Sequence, residues 1–431
     1  MTQPPTLSCQ PDPSKADPVA ERIARYQWIV LIIACAGWIF DAFEGQLFNI
    51  TREDMLRELL GSDQTRLKFW GDFFLAIFLC GGALGGIAFG SLADRIGRKP
   101  VIAITILLYS LFSGLTYFAY AMWQVAALRF LVALGVGGEW AVAAALVAEI
   151  FPQRSRASAG AIFHGSSTLG TMTAAVVGMV VGTHWRYAFL VSVLPALLLF
   201  AVQTGVHEPQ RWKDAQAENR KLGSISELFA DPRWRYRAIF GLLLAAVGLG
   251  TFWSVVIAGQ DLTRELLRHN GWDPQRAAQQ SKFAYGFVQT LAMGIGMVGF
   301  GVMAERMGRR SAFLLMHLGA LVIVPITCYL PQTYWQMLLI LPLFGFFTGS
   351  MHAGYAIYFP ELFPDHLRAT GAGMCFNGGR IVAAPMLWLS GTIKSHLHLQ
   401  PAVVAMSGLY LVGLIVLLFL PETKGQPLPR E

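Results

Sequence analysis

Twelve long apolar blocks dominate this chain of 431 residues and limit what it can fold into. Each block is close to the roughly 20 residues that a helix needs to cross the hydrocarbon core of a bilayer. Only 14% of the residues are charged, whereas soluble domains have about 25%, so a large soluble helical protein is a poor alternative. The sequence predicts an all-α membrane protein with twelve transmembrane helices, here called spans 1 to 12, at 27–50, 72–93, 100–121, 123–147, 157–182, 184–204, 236–259, 282–303, 311–330, 332–357, 370–393 and 401–420.

Two motifs occur twice, once in each half of the chain. The first lies at 90–100 as GSLADRIGRKP and returns at 301–311 as GVMAERMGRRS. The second lies at 149–160 as EIFPQRSRASAG and returns at 361–372 as ELFPDHLRATGA, so that both motifs return at nearly the same offset. Such repeats are typical of transporter folds, in which the substrate site lies between the halves near the bilayer midplane. We expect two pseudo-symmetric six-helix bundles at 27–204 and 236–420, joined by a linker at 205–235. A disordered tail at 1–26 precedes the first bundle, and a final tail at 421–431 follows the second.

The distribution of basic residues predicts the orientation of the chain. With the N-terminus inside and residues at span ends counted with the adjoining segment, the cytoplasmic segments hold 21 Lys and Arg, the opposite side holds 10, and two lie deep within spans. Because cytoplasmic loops are enriched in these residues, we expect both termini and the linker to be cytoplasmic. The formal net charge of +7 therefore does not indicate nucleic-acid binding. The five cysteines lack metal-ligand spacing, and the first 26 residues lack the apolar core of a signal peptide.

The first repeated motif resembles the signature of the major facilitator superfamily, and the resemblance covers residues 27–425. The signature residues are present as Gly90, Leu92, Ala93, Asp94, Arg95, Gly97, Arg98 and Lys99. The terminal PETKG at 421–425 is similar to the end of sugar-porter-like chains. The resemblance implies a secondary transporter that works by alternating access, and not an enzyme. The charged residues of the repeated motifs are expected to form gates that hold the cytoplasmic side shut: Asp94, Arg95, Arg98, Glu149, Arg156, Glu305, Arg306, Arg309, Glu361 and Arg368.

A finer resemblance points to the substrate class. The segments 37–48, 129–149 and 361–381 look most like the proton symporters for organic acids, which include carriers of sialic acid, aromatic acids and short carboxylates. Where aromatic-acid carriers tend to have two aspartates in span 1, this chain has Asp41 and Glu44. The resemblance implies proton-coupled uptake of a small organic anion such as a carboxylate. A proton-coupled sugar or polyol symporter is the alternative with the same fold.

Ionisable residues inside a span are costly and usually face a cavity or a partner. The candidates for proton coupling are Asp41, Glu44, Arg129, Glu139 and His164. At a rise of about 1.5 Å per residue, Glu44 and Arg129 both lie roughly 9 Å below the outer surface, and Asp41 lies roughly 13 Å below it. By resemblance to sugar-porter-like symporters, we expect Asp41 to bind the proton and Arg129 to be its switchable partner. Alternatively, they form a fixed ion pair that only locks two helices together.

Glu139 and His164 lie at similar depth towards the cytoplasm, so they could pair or relay protons, or only fix helix packing. Arg380 lies near the midplane of span 11, close to Asn377. A planar guanidinium suits a carboxylate substrate, although it could also bind a glutamate or a backbone carbonyl. The further residues that could line the same cavity, or only pack, are Trp253, Gln289, Tyr355 and Tyr358.

The sequence therefore predicts a carrier in the inner or plasma membrane whose partners are a small anionic substrate, protons and the bilayer. We expect it to function as a monomer, without a cofactor, a metal or a nucleic-acid partner. No nucleotide-binding loop of the form GxxxxGK[ST] occurs in the sequence, which argues against ATP-driven pumping. The alternatives from other classes are a channel and a non-transporting nutrient sensor. A sensor would need a long signalling extension, which we do not expect after PETKG.

Overall fold

The computed structural model describes residues 25–61, 63–181, 184–218 and 221–430. All regular secondary structure in these ranges is helical, and every predicted span corresponds to a helix or to two consecutive helices. The prediction of an all-α fold with twelve spans is therefore confirmed. The predicted tail at 1–26 lies almost wholly outside the described residues.

The first half contains spans 1 to 6. In chain order they are α1 (Arg25–Leu60) as span 1, α2 (Gln64–Ile96) as span 2, α3 (Arg98–Leu115) as span 3, α4 (Met122–Ile150) as span 4, α5 (Arg156–Gly165) with α6 (Ser167–Val181) as span 5, and α7 (Trp185–Val191) with α8 (Leu198–Gly205) as span 6. Two short helices follow in the linker, α9 (Gln210–Ala217) and α10 (Ile225–Ala230).

The second half contains spans 7 to 12. They are α11 (Pro232–Thr251) with α12 (Ala258–His269) as span 7, α13 (Pro274–Phe283) with α14 (Thr290–Met307) as span 8, α15 (Arg309–Tyr329) as span 9, α16 (Tyr334–Gly349) with α17 (Met351–Leu362) as span 10, α18 (Arg368–His396) as span 11, and α19 (Leu399–Ser407) with α20 (Leu409–Phe419) as span 12. Because the number of spans is even, both ends of the described chain lie on one side, here called the termini side. The opposite side is called the far side.

Span 1 is longer than predicted, because it continues to Leu60 instead of ending near 50. At about 1.5 Å per residue, its 36 residues extend for about 54 Å, well beyond the roughly 30 Å hydrocarbon core. The polar residues after position 50 continue the helix, since Met55 and Leu56 are buried against Phe74 and Met122. Hydropathy alone misses such an amphipathic extension.

Spans 5 and 11 are the two most polar spans. Ten helical segments of the described chain are long and apolar enough to cross a membrane, by length and composition, and these two are not among them. Span 5 carries HGSSTLGT at 164–171, and span 11 carries Asn377 and Arg380. Since polar groups within a span usually face a cavity or a partner, these spans are expected to build a site.

Glycines allow the two halves to approach closely. Gly82, Gly86 and Gly90 recur at four-residue spacing on span 2 and face span 11. A Cβ atom at Gly90 would lie 2.6 Å from the backbone oxygen of Ala369. Small residues at such spacing are typical of close helix contacts in membranes. On the other side of the bundle, span 5 packs against span 8. These two interfaces hold the halves around a central cavity.

Candidate substrate cavity and gates

A cavity of about 190 Å³ lies between the two halves. Spans 1, 2, 4, 5, 7, 8, 10 and 11 all contribute to its wall, and it extends towards the far side as far as the exposed Asn49. Its aromatic residues are Trp38, Phe48, Phe74, Phe78, Phe252, Trp253 and Phe376. Its ionisable residues are Asp41, Arg52, Arg129, His164, His352 and Arg380. An apolar wall with a few polar groups is the usual form of a site for a small molecule.

Arg129 forms a buried ion pair with Glu44. Its Nη1 atom lies 2.7 Å from both carboxylate oxygens of Glu44, and Ser113 donates a further hydrogen bond of 3.2 Å to Oε1. The guanidinium also lies over the rings of Phe48 and Phe78, 4.1 and 4.3 Å from their centroids. This pair satisfies both charges within the first half of the molecule.

The expected contact between Asp41 and Arg129 is absent from this structure, and Glu44 takes its place. The physical reason is depth, because Glu44 lies level with Arg129, whereas Asp41 lies about one helical turn deeper. Both oxygens of Asp41 are buried and receive no hydrogen bond from the protein. The role of Asp41 in proton coupling stays a prediction, but Arg129 is not its partner in this conformation.

Glu139 of span 4 projects towards span 1. Its side chain is 2% exposed, its Oε2 atom has no hydrogen-bond partner, and its carboxylate occupies the space that a side chain at Gly37 would need. Gly37 lies one helical turn from Asp41 on the same helix. Glu139 therefore lies next to Asp41, across the contact between spans 4 and 1.

His164 contacts Trp140, and the expected pairing with Glu139 is absent. The Nε1–H of Trp140 donates a hydrogen bond of 3.0 Å to Nδ1 of His164. In the neutral imidazole this contact leaves the proton on Nε2. The Trp140 ring also stacks on Phe376 of the other half, with centroids 3.9 Å apart. Since Val136 lies in the cavity wall, Trp140 lies one turn closer to the termini side, where the stack closes the cavity.

This aromatic group follows the internal repeat. Trp140 and His352 occupy equivalent positions at the offset of the second motif, and so do His164 and Phe376. The rings of His164 and His352 lie 6.5 Å apart, and those of His164 and Phe376 lie 6.1 Å apart. Equivalent positions of the two halves thus meet where the halves join. The repeat offset, extended from the motifs to these positions, would have found this group.

Arg380 brings a guanidinium from span 11 into the cavity. The residue is 7% exposed, and it has no carboxylate within ion-pair distance among the described residues. Its Nη1 atom is buried without a hydrogen-bond partner, next to Gly82. Its closest aromatic contact is Phe376, whose ring centroid lies 5.8 Å from the guanidinium carbon. At the equivalent position of the repeat, the first half has Thr168.

The other residues predicted to bind the substrate do not all lie in the cavity wall. Trp253 lies in the cavity wall, next to a π-helical turn of span 7 at Phe252–Val256. Asn377 faces span 2 and donates a hydrogen bond of 3.1 Å to the backbone oxygen of Gly137. In this conformation, Gln289 of span 8 and Tyr355 of span 10 each donate a hydrogen bond to a backbone oxygen of span 7. Tyr358 donates one to the backbone oxygen of Pro421. The cavity wall gains Trp38, Phe252, His352 and Phe376 instead, which the sequence analysis missed.

On the termini side, Asp94 at the end of span 2 binds the start of span 11. Its carboxylate accepts hydrogen bonds from the backbone N–H groups of Ala369 and Thr370, at 3.2 and 2.8 Å, and from the Thr370 hydroxyl at 2.6 Å. The free N–H groups and the dipole at a helix start favour a carboxylate there. We call this contact the span 2–span 11 latch.

Glu149 of the first half binds arginines from both halves. Its Oε1 atom lies 2.8 Å from Nη2 of Arg98 and 3.0 Å from Nη1 of Arg368. Arg98 also pairs with Asp94 at 2.9 Å. Four of the predicted gate residues thus form one network, which joins the halves on the termini side.

The second half repeats this arrangement against span 5. The carboxylate of Glu305 accepts a hydrogen bond of 2.9 Å from the backbone N–H of Ser158, near the start of span 5. Arg309 pairs with Glu361 at 2.8 Å, and Arg156 lies 3.9 Å from the same carboxylate. These groups occupy the same positions of the two repeated motifs as their counterparts in the first half, so the repeat relates the two sets of contacts.

The two remaining gate residues contact the linker and the tail. Arg95 donates a hydrogen bond of 3.3 Å to the backbone oxygen of Gly223 in the linker. Arg306 accepts one of 2.7 Å at its own backbone oxygen from Lys424. Gly223 has a φ of 61° and its N–H donates to the backbone oxygen of His366, at 2.8 Å. The linker thereby crosses the closed side and contacts both halves.

Two glutamates that the sequence analysis missed cap helix starts on this side. Glu208 accepts hydrogen bonds of 2.8 Å from the backbone N–H groups of Arg98 and Lys99, at the start of span 3. Glu422 does the same for span 9, at 2.9 and 3.0 Å. Each glutamate follows the last span of its half and adjoins a proline, Pro209 in the first half and Pro421 in the second.

The chain is similar to known transporters over nearly its whole length. It matches the family described as Major Facilitator Superfamily over residues 39–267 and 265–431. It is 26% identical to the cis,cis-muconate transport protein of Acinetobacter baylyi, covering 94% of this chain and 96% of that protein. It is also 26% identical to the niacin transporter NiaP of the same organism, again covering 94% and 96%.

Solved structures have the same fold. The structure of a proton:xylose symporter, XylE, bound to 6-bromo-6-deoxy-D-glucose has a TM-score of 0.74 against this chain. The two sequences are 16% identical, and the likeness covers 94% of this chain and 98% of that one. At this identity the likeness concerns the fold alone. The family match and the relatives above confirm a transporter embedded in a membrane, and not an enzyme.

Proposed function

This chain belongs to the major facilitator superfamily, and from that premise we propose that it takes up a small organic anion together with protons. The anion is a carboxylate, the cavity between the halves is its binding site, and Arg380 binds it. Uptake proceeds by alternating access, with the two halves opening the cavity to one side of the membrane at a time. The carrier functions as a monomer, with its termini in the cytoplasm.

The observation that carries this proposal is the Arg380 guanidinium, which is buried in the cavity wall without a carboxylate partner. A buried guanidinium without a carboxylate in direct contact is costly within a membrane protein, and a bound anion that contacts it relieves that cost. A guanidinium binds a carboxylate through two parallel hydrogen bonds, whereas a neutral sugar has no such group. Of the two other arginines in the cavity wall, Arg129 is neutralised by Glu44, and Arg52 lies about 16 Å nearer the far side than Asp41 along span 1.

The relatives support an organic acid. Muconate and niacin are both carboxylic acids, and they give their names to two transporters that match almost the whole chain. The wall of the cavity also suits flat, conjugated molecules, since it contains seven aromatic side chains. Aromatic rings interact favourably when they stack in an offset arrangement or meet edge to face.

Proton coupling is assigned to Asp41. Its carboxylate is 2% exposed, has no hydrogen-bond partner in the protein, and lies in the wall of the same cavity as Arg380. A carboxyl group that is neutral in one conformation and ionised in another carries a proton across the membrane when the cavity changes sides. Glu139, next to Asp41, is the second carboxyl group at the proposed proton site, and His164 lies closer to the second half of the molecule.

Substitutions of Arg380 test the proposed anion site. We expect Arg380→Lys to weaken binding of nicotinate, because Lys keeps the charge but loses the two parallel hydrogen bonds. Arg380→Ala should weaken it further, by about 1.5–3 kcal/mol for the lost charge-assisted bond, or roughly ten- to a hundred-fold. Isothermal titration of the purified, folded protein with nicotinate and with cis,cis-muconate measures these affinities.

Arg237 is the matched control, because it is a partly buried arginine of span 7 that donates to the backbone oxygen of Leu362, outside the cavity. Arg237→Lys should leave the affinity for nicotinate as in the wild type. Unchanged affinity in Arg380→Ala would rule out the anion site. Binding of xylose but not of either anion would favour the sugar symporter.

A further inference from the structure

The charges around Asp41 do not balance within the first half of the molecule. Asp41, Glu44 and Glu139 are three buried carboxylates, each 2% exposed. Arg129 neutralises Glu44, because its Nη1 atom lies 2.7 Å from both oxygens of that carboxylate. Asp41 and Glu139 therefore lie side by side without a cation from their own half of the described chain. An ionised carboxylate in such a place is costly unless another charge compensates it.

The compensating charge comes from the other half. Among the described residues, Arg380 is the arginine of the second half that lines the same cavity as Asp41, and its Nη1 atom has no hydrogen-bond partner. They do not form a direct ion pair, and both line the cavity in which the substrate is proposed to bind. The ionisable groups that surround Asp41 are Glu44 of span 1, Tyr109 of span 3, Arg129 and Glu139 of span 4, His164 of span 5 and Arg380 of span 11.

We propose that Arg380 is a counterion that Asp41 and the substrate share. In the empty carrier, the guanidinium compensates an ionised Asp41. When the substrate carboxylate binds to Arg380, Asp41 loses this compensation and takes up one proton from water through a new O–H bond. The inference rests on the proposed function, because it requires that Arg380 binds the anion.

This arrangement fixes the ratio of protons to anions. The empty site holds one positive guanidinium and one negative carboxylate, and the loaded site holds the same guanidinium, the substrate anion and a neutral Asp41. The charge of the site is therefore unchanged by loading, and one proton accompanies each monovalent anion. Glu139, which has no cation of its own, keeps its proton in both states. The transport of a monovalent anion should be electrically neutral.

Chemical labelling tests the pairing of Asp41 with Arg380 without any substrate. Dicyclohexylcarbodiimide reacts with protonated carboxyl groups in apolar surroundings and not with ionised ones, and mass spectrometry locates the adducts. At mildly alkaline pH, Asp41 should resist the reagent in the wild type and in Arg380→Lys. In Arg380→Gln it should react at least about tenfold faster, because the compensating charge is gone. Glu139 should react in all three proteins, which controls for folding and for access of the reagent.

Labelling of Asp41 in the empty wild type would overturn the proposal, and so would unchanged resistance in Arg380→Gln. Transport then tests the ratio in proteoliposomes loaded with potassium. Uptake of nicotinate should follow an imposed pH gradient and stay within about twofold when valinomycin sets a negative potential inside. A stimulation of tenfold or more by that potential means that net positive charge enters, and it would overturn the one-to-one ratio.

The proposed function fails in a different way. If neither nicotinate nor cis,cis-muconate binds to the wild-type protein, the organic-anion function is wrong, and the shared counterion is wrong with it. If the anions bind but Asp41 does not respond to Arg380→Gln, the function stands and only this inference is overturned.

Discussion

Glu44 and Arg129 are buried at positions where an unpaired charge would carry a large free-energy cost. Their side chains are 2% and 4% exposed, and the contact of 2.7 Å satisfies both. Two aromatic rings cover the guanidinium, so that water does not compete for it. Breaking a buried ion pair by removing one partner is strongly destabilising, because the other charge stays buried without compensation. The pair therefore stabilises the contact between spans 1 and 4.

Glu44→Gln should lower the stability of the folded protein markedly. The substitution keeps the shape of the side chain but leaves the Arg129 guanidinium without its counter-charge, a loss of about 3–5 kcal/mol in buried pairs. Thermal unfolding of the purified protein in detergent, followed by intrinsic tryptophan fluorescence, measures the effect. The matched control is Glu53→Gln, which removes a glutamate from the solvent-exposed pair with Arg57. It should change the melting temperature little, since such pairs contribute little. Equal melting temperatures for both variants would show that Glu44 and Arg129 do not hold the spans together.

At the scale of helices, the predicted gates depend on hydrogen bonds at helix N-termini. Asp94 accepts hydrogen bonds from backbone N–H groups at the start of span 11, and Glu305 accepts one at the start of span 5. Both carboxylates lie at the end of the second span of their half, and both contact the opposite half. Since the dipole at a helix start adds to the hydrogen bonds, each contact is strong while it is formed and is lost as soon as the helices move apart. Such contacts suit a gate with two states.

Thr370→Val should shift the carrier towards opening on the termini side. The variant removes a hydrogen bond of 2.6 Å between the Thr370 hydroxyl and the Asp94 carboxylate. Losing a hydrogen bond to a charged group costs about 1.5–3 kcal/mol, which changes the ratio of closed to open forms by roughly ten- to a hundred-fold. Spin labels at Ile96 and Met307, which are exposed at the termini-side ends of spans 2 and 8, measure the two populations by their distance distributions.

Thr327→Val is the control for this variant, because the Thr327 hydroxyl bonds only to its own helix, at the backbone oxygen of Ile323. It should leave the distance distribution as in the wild type. A distribution that stays unchanged in Thr370→Val as well would mean that the span 2–span 11 latch does not control opening.

The sequence predicted the spans, and which charged residues meet on the termini side, better than the contacts inside the cavity. Arg98 with Glu149 and Arg309 with Glu361 occupy equivalent positions of the two motifs, and the structure joins each pair. The depth along the helices matched Glu44 to Arg129, but the resemblance to sugar-porter-like symporters assigned Arg129 to Asp41, which lies about one turn deeper. The surroundings of Asn377 could not be predicted from the sequence either. Its side chain packs against Gly86, and a glycine has no side chain that a sequence pattern would mark.

At the scale of the whole molecule, the cavity and the gates define one state of the transport cycle. The cavity extends towards the far side, and the networks around Glu149 and Glu361 join the halves on the termini side. If the termini are cytoplasmic, as the basic residues predict, this state faces the outside and is ready to take up a substrate. The opposite orientation would turn the same state into an inward-facing one. The direction of the proposed uptake therefore depends on the orientation.

Labelling of single cysteines in intact cells should show that the linker is cytoplasmic. Ala230→Cys places a thiol at an exposed position of the linker, and His269→Cys places one at an exposed position on the far side. In a background without the five native cysteines, an impermeant maleimide should label position 269 and not position 230. Position 230 should become reactive only after the membrane is permeabilised, which shows that its thiol is accessible. The physical reason is the bias of Lys and Arg, 21 against 10, towards the side that holds the linker. Labelling of position 230 in intact cells would reverse the orientation, and the cavity in this structure would then face the cytoplasm.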